Sequence, residues 1–212
     1  MRTHTTTAAL RGTTLRKALR AGFLAFSLVL SASTAFSQAV GDYRTRATGD
    51  WNSNTTWQKY NGSTWVNCKA GDFPGVSTGA GNVTIRNGHN VSLNISPTNS
   101  IGSLGIATGN AVTALTFGAA YTLSVSGDVS INSSTNNVAK NIAINTGTLN
   151  CNNLNLSSIG GNDTTDAFVV LTSGTLNAAG SISMNATSPK TYIQFNGGGT
   201  VNVQGTISGG GI

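Results

Sequence analysis

From Val83 onward, apolar residues come in short triplets, two apolar side chains flanking a polar one, with Gly, Asn, Ser and Thr between triplets. Alternation with a period of two is the mark of a strand that buries one face. The tetrapeptides Gly147-Thr148-Leu149-Asn150, Gly174-Thr175-Leu176-Asn177 and Gly199-Thr200-Val201-Asn202 recur at intervals of 27 and 25 residues, so the chain is built from repeats. Aligned on them, each repeat holds three triplets. The first column contains Val83/Ile85, Leu115/Phe117, Ile142/Ile144, Val169/Leu171 and Ile193/Phe195. The second contains Val91/Leu93, Leu123/Val125, Leu149/Cys151, Leu176/Ala178 and Val201/Val203. The third contains Leu104/Ile106, Val129/Ile131, Leu154/Leu156, Ile182/Met184 and Ile207/Gly209. Among these inward positions only Gly209 is not apolar.

Three short strands per repeat, joined by corners, predict an all-β chain folded as a parallel β-helix of about five coils. Successive coils lie ~4.8 Å apart, so each inward residue rests on its equivalent in the coil before. One coil cannot bury its own inner face, and stability comes from neighbouring coils. The bias of parallel crossovers makes the expected helix right-handed. A sandwich of short strands would not keep a fixed repeat length with columns in phase. Corners between the first and second strands, such as Asn145 to Thr148 and Thr172 to Thr175, are short and rich in Gly and Asn, residues that tolerate positive φ. The third-to-first corner is the long one, covering residues 107–114, 132–141, 157–168 and 185–192.

Composition changes the picture at the two ends of the chain. Five of the twelve basic residues (Arg2, Arg11, Arg16, Lys17, Arg20) precede the apolar run Ala21–Leu30, and Ala35-Phe36-Ser37 follows it. That order reads as a secretory signal peptide over 1–37, with an apolar run too short to span a bilayer. Beyond it, seven basic and six acidic residues leave a net charge of +1. The chain is therefore expected to be secreted, extracellular or at the cell surface, with no transmembrane segment. Nucleic acid is disfavoured, since no Arg follows Arg86 and only two Lys do. Only Cys68 and Cys151 are available for a disulfide; Cys151 falls at an inward position and reads as a small buried hydrophobe.

Residues 38–80 differ from the repeats, holding Trp51, Trp57 and Trp65 with Tyr43, Tyr60 and Phe73. An open first coil would expose bare strand edges, so this segment is expected to be an N-terminal aromatic cap, with the β-helix running over 81–212 and continuing beyond Ile212. The stretches Trp51-Asn52-Ser53-Asn54-Thr55-Thr56-Trp57, Pro74-Gly75, Gly79-Ala80-Gly81-Asn82-Val83-Thr84-Ile85 and Gly88-His89-Asn90-Val91-Ser92-Leu93 resemble the opening of secreted bacterial β-helix surface proteins. The chain is similar there to the eight-glycine domain family and to adhesin-like proteins carrying a type IX secretion sorting domain. The resemblance covers roughly residues 43–106 and implies a β-helix fold and export. Relatives range from adhesin-like proteins to parts of polysaccharide-active enzymes.

Candidate chemistry is sparse. The chain has no Glu and six Asp, of which Asp163 and Asp166 share one long corner, with Lys140 and Lys190 on the coils either side. They read either as a calcium or acid/base pair of the kind glycoside hydrolysis requires, or as charges of a solvated loop, and the second reading is preferred. His89, the only His after the leader, reads as a turn residue. No Ser-His-Asp set, metal-spaced His/Cys cluster or phosphate loop is present, so neither a cofactor nor a metal is expected, and an enzyme is not. One outward face is uniform: Thr122, Thr148, Thr175 and Thr200, with Ser124, Asn150, Asn177 and Asn202 two residues on. Hydroxyl and amide rows suit outward β positions for stability alone, and also suit contact with a glycan, a cell surface or ice. The expected role is a non-enzymatic structural or adhesive module with a glycan or cell-surface ligand and end-to-end contact through the last coil. Alternatives are a catalytic or non-catalytic module of a polysaccharide lyase or glycoside hydrolase, and an ice-binding β-helix.

Overall fold

In the computed structural model, residues 38–133, 138–158, 166–186 and 191–209 are described. The leader, Asp163 and Lys190 lie outside them. The described residues contain strands and turns and no helix. In chain order the strands are β1 (Tyr43–Thr45), β2 (Gly49–Asp50), β3 (Trp57–Tyr60), β4 (Trp65–Asn67), β5 (Asn82–Ile85), β6 (Asn90–Leu93) and β7 (Ser103–Ile106). Four regular coils follow: β8 (Thr113–Phe117), β9 (Thr122–Ser124) and β10 (Val129–Ser133); β11 (Lys140–Ile144), β12 (Thr148–Cys151) and β13 (Leu154–Ser158); β14 (Ala167–Leu171), β15 (Thr175–Ala178) and β16 (Ile182–Ala186); β17 (Thr191–Phe195), β18 (Thr200–Val203) and β19 (Ile207–Gly209).

Like strands of successive coils pair in parallel and in register, which makes the chain a β-helix. Strands β8, β11, β14 and β17 lie in a six-stranded sheet, β9, β12, β15 and β18 form a four-stranded sheet, and β10, β13, β16 and β19 lie in a nine-stranded sheet. The single file Leu123, Leu149, Leu176, Val201 is continuous across the four-stranded sheet. In the inner coils these side chains are fully buried. Each filled inward position contributes roughly 1.5–3 kcal/mol of burial before entropy is subtracted.

Four coils carry all three strands, one fewer than the sequence pattern suggested, and the columns of the first repeat are corrected. Val83 and Ile85 pair with Leu104 and Ile106 in the nine-stranded sheet, not with Leu115 and Phe117. Val91 and Leu93 pair with Leu115 and Phe117 in the six-stranded sheet, not with Leu123 and Val125. Residues 94–100 contain no triplet and form no strand, so only Ile101 reaches Val125, through a lone bridge. With one strand missing, counting triplets in order slips every earlier one by a column.

The parallel ladders already begin at Tyr43. β1 pairs with β5 and β2 with β6, both in parallel. β3 then turns back antiparallel along β1, and β4 along β3. Trp51 and Trp57 are fully buried edge-to-face, their centroids 5.0 Å apart. Each indole N–H is satisfied, Trp51 donating to the Pro74 carbonyl at 3.0 Å and Trp57 to the Trp51 carbonyl at 2.7 Å. Cys68 and Cys151 are free and buried, and burial pushes both thiols up to about 11.

The corner glycines serve a different purpose from the expected one. Gly147, Gly174 and Gly199 do not have positive φ. A Cβ at Gly147 would instead overlap the Tyr121 carbonyl, and one at Gly174 the Ile144 side chain. The corners are tight against the coil below, and glycine is the residue that leaves room.

Candidate functional site

The outer face of the four-stranded sheet is a regular surface. Register places Thr122, Thr148, Thr175 and Thr200 in one row and Ser124, Asn150, Asn177 and Asn202 in the next. Rungs repeat at ~4.8 Å across the strands, and the two rows lie ~6.6 Å apart along them. The two rows differ in chemistry. The amides bond one another: Asn202 donates to Asn177 at 2.8 Å, Asn177 to Asn150 at 2.8 Å, and Asn150 to the Ser124 hydroxyl at 3.3 Å. An Asn amide offers two N–H donors and two acceptor lone pairs, so each rung keeps bonding capacity that the ladder does not use. The four Thr hydroxyls have no protein partner among the described residues, and all four side chains are partly or fully exposed. The arrangement is a fixed grid of hydroxyl and amide groups with the threonine row left open.

Asp166 does not join this face, because it leads into β14 in the six-stranded sheet. Its Oδ2 accepts a hydrogen bond from the Tyr192 hydroxyl at 3.2 Å, while Oδ1 is buried without a partner among the described residues. Burial and the neighbouring Asp166 push the Tyr192 hydroxyl up to about 12. Tyr192 stacks flat on Phe168, centroids 4.9 Å apart and planes 6° from parallel. Among the described residues a tyrosine hydroxyl is the partner of this carboxylate; Asp163, its expected companion, falls outside them. No group of three or more His, Cys, Asp or Glu suited to a metal occurs among the described residues.

Lys140, expected at the long corner one coil before Asp166, is not at the surface. It lies in β11 with the parity of Ile142 and Ile144, points inward and is fully buried. Its ammonium donates to Asn87 Oδ1 at 2.9 Å, to Thr113 Oγ1 at 3.0 Å and to the Ala111 carbonyl. Burial lowers its pKa. His89 occupies a turn as expected: Gly88 has φ +82 and the His89 N–H bonds the Arg86 carbonyl. Its Nδ1 contacts Thr45 Oγ1 at 2.8 Å, and burial, with Arg86 nearby, lowers its pKa.

The three tryptophans, treated as one group in the sequence, separate. Trp51 and Trp57 are core, whereas Trp65 is half-exposed on β4 beside Tyr60 and Arg44. The signal that would have found this surface is Asn61-Gly62 between two alternating segments, a strong hairpin mark.

No helix of the described residues is long and apolar enough to cross a membrane. No family model, curated protein or solved structure matches the chain.

Proposed function

We propose that this β-helix is an exported, non-enzymatic surface module that contacts glycans or neighbouring cells through its Thr/Asn face. The observation that carries the reading is the row of four threonine hydroxyls without a protein partner among the described residues, held in register beside a self-bonded amide ladder. A rigid grid of neutral donors and acceptors matches the hydroxyl-rich edge of a polysaccharide, and the ladder fixes the geometry before the ligand arrives. The opening segment closes the first coil, and the leader directs the chain out of the cell. The last coil offers a point of end-to-end contact, since Phe195 and Ile207 are more than half exposed there.

The test is a glycan array and polysaccharide affinity gels with the wild-type chain and the double variant Thr148→Tyr/Thr175→Tyr. Wild type is expected to bind one or more neutral glycans, and the variant to lose that binding while its circular dichroism stays that of the parent. Neutral-glycan binding that survives the double variant overturns the assignment to this face. Thermal hysteresis without glycan binding transfers the grid to ice.

A further inference from the structure

A second polar surface lies on the outer face of the nine-stranded sheet, where the β3–β4 hairpin joins it. Register sets Thr84, Arg44, Gln58 and Asn67 in one row across β5, β1, β3 and β4. Arg44 is held from two directions. Its Nε donates to Gln58 Oε1 at 2.9 Å, and Gln58 in turn donates to Asn67 Oδ1 at 3.1 Å. Its guanidinium carbon lies 4.4 Å from the centroid of the Trp65 ring, a cation–π contact. Tyr60 leans on the same ring, 5.4 Å away and tilted by 53°. Arg44, Tyr60 and Trp65 are all half-buried.

What the arginine lacks among the described residues is an anion. The one ion pair among the described residues joins Lys59 to Asp72. Asp42 spends its carboxylate on the Ala39 and Asn82 backbone N–H groups. Burial and then the like charge of Arg86 lower the pKa of Arg44, as befits a cation without a counter-ion. An exposed arginine ordinarily loses side-chain entropy when it captures an anion; here the ring and Gln58 have already fixed the plane, and Nη1 and Nη2 carry no acceptor among the described residues. A guanidinium with its Nε satisfied and its terminal nitrogens open presents a two-point fork that matches a planar carboxylate. Half-exposed aromatic rings beside it suit the C–H faces of a sugar.

We infer that Arg44, framed by Trp65, Tyr60 and Gln58, is a binding site for the carboxylate of a uronic-acid-bearing polysaccharide. This deepens the glycan-contact reading and rests on it, but it places the acidic sugar on a different sheet from the Thr/Asn grid. The two sites therefore fail separately.

The experiment is affinity electrophoresis of the full chain in gels containing polygalacturonate, dextran sulfate or uncharged dextran, with a single-stranded oligonucleotide as a competitor. Polygalacturonate is expected to retard the wild type most, and Arg44→Gln is expected to weaken that retardation about tenfold or more. Arg44→Lys keeps the charge and loses the fork, so it is expected to behave like Arg44→Gln. Trp65→Phe, a milder change to the frame, is expected to fall between the parent and Arg44→Gln. Thr148→Tyr/Thr175→Tyr is expected to bind polygalacturonate as the parent does. The inference is overturned if no gel retards the wild type, if Arg44→Lys binds like wild type, if dextran sulfate retards it as strongly as polygalacturonate, or if the oligonucleotide displaces it preferentially. Circular dichroism of each variant separates lost binding from lost fold.

Discussion

The coil β14–β16 and the coil β17–β19 have the same inward pattern and different burial. Leu171 and Ile182 are fully buried, whereas their register partners Phe195 and Ile207 are 53% and 59% exposed. Leu176 is fully buried, and Val201 beneath it only partly. Facing inward is thus a property of the coil, while being buried is a property of the next coil along. At the other end, β3, β4 and the buried Trp51 and Trp57 lie against the first ladders, and Tyr43 and Val83 are almost completely covered. Stability in such an array is a sum of neighbour contacts, so an identical truncation should have different costs at different positions.

The largest expected effect tests this directly. Leu149→Ala removes side-chain atoms from a fully buried position with coils on both sides, and is expected to cost about 2–5 kcal/mol. Val201→Ala, in the same file but only partly buried in the coil β17–β19, is expected to cost about 1 kcal/mol. Chemical denaturation of both variants measures the pair. Equal costs would break the contrast between inner and last coils.

The amide ladder gives the next largest difference. Asn177 donates to Asn150 and accepts from Asn202, so Asn177→Ala removes two hydrogen bonds and is expected to cost about 1–2 kcal/mol. Asn202 makes one ladder bond and is exposed, so Asn202→Ala is expected to cost about 0.5 kcal/mol. Thermal melts of the two variants at equal concentration decide whether the ladder weakens toward its end.

The sequence made the architecture legible because inward positions must be apolar in every coil, and that requirement survives any change of corner. It hid the first repeat's register for a related reason: Val-x-Ile and Val-x-Leu triplets fit any of the three sheets, and only strand pairing distinguishes them. The Thr/Asn rows were readable as outward positions, but which row bonds itself and which stays open depends on side-chain geometry. Lys140 was readable in principle, since it shares the parity of Ile142 and Ile144; its charge argued for solvent more strongly than its position argued for the core. Arg44 was not readable, because its frame comes from Gln58 and Trp65 on strands brought beside it by the hairpin.

Lys140 supplies a smaller effect. Lys140→Met keeps an unbranched chain of similar length, and each acceptor left behind has another donor. Asn87 Oδ1 still receives the Ala111 N–H, Thr113 Oγ1 the Gly88 N–H, and the Ala111 carbonyl the Thr113 hydroxyl. The substitution is therefore expected to change stability by about 1 kcal/mol or less at pH 7. Its pH dependence has a definite sign. Burial puts the folded pKa below the unfolded value, so the folded state binds fewer protons and the Lys140 contribution shrinks as pH falls below that unfolded value of 10.5. Wild type minus variant stability should thus rise between pH 8 and pH 10. A flat difference would mean that the ammonium stays fully charged in the core.

The smallest expected effect sharpens the comparison most. Phe195→Ser removes a large aromatic residue from an inward column, and at the equivalent position two coils earlier, Ile144, the same kind of loss would open a cavity. In the last coil the ring is already more than half in water, and the dilute monomer is expected to lose about 1 kcal/mol or less, far below the loss at an inner position. A loss comparable to that of Leu149→Ala, measured at concentrations where sedimentation shows a single chain, would mean that Phe195 is covered within its own molecule. The last coil would then be an inner coil in all but sequence order, and the difference between them would disappear.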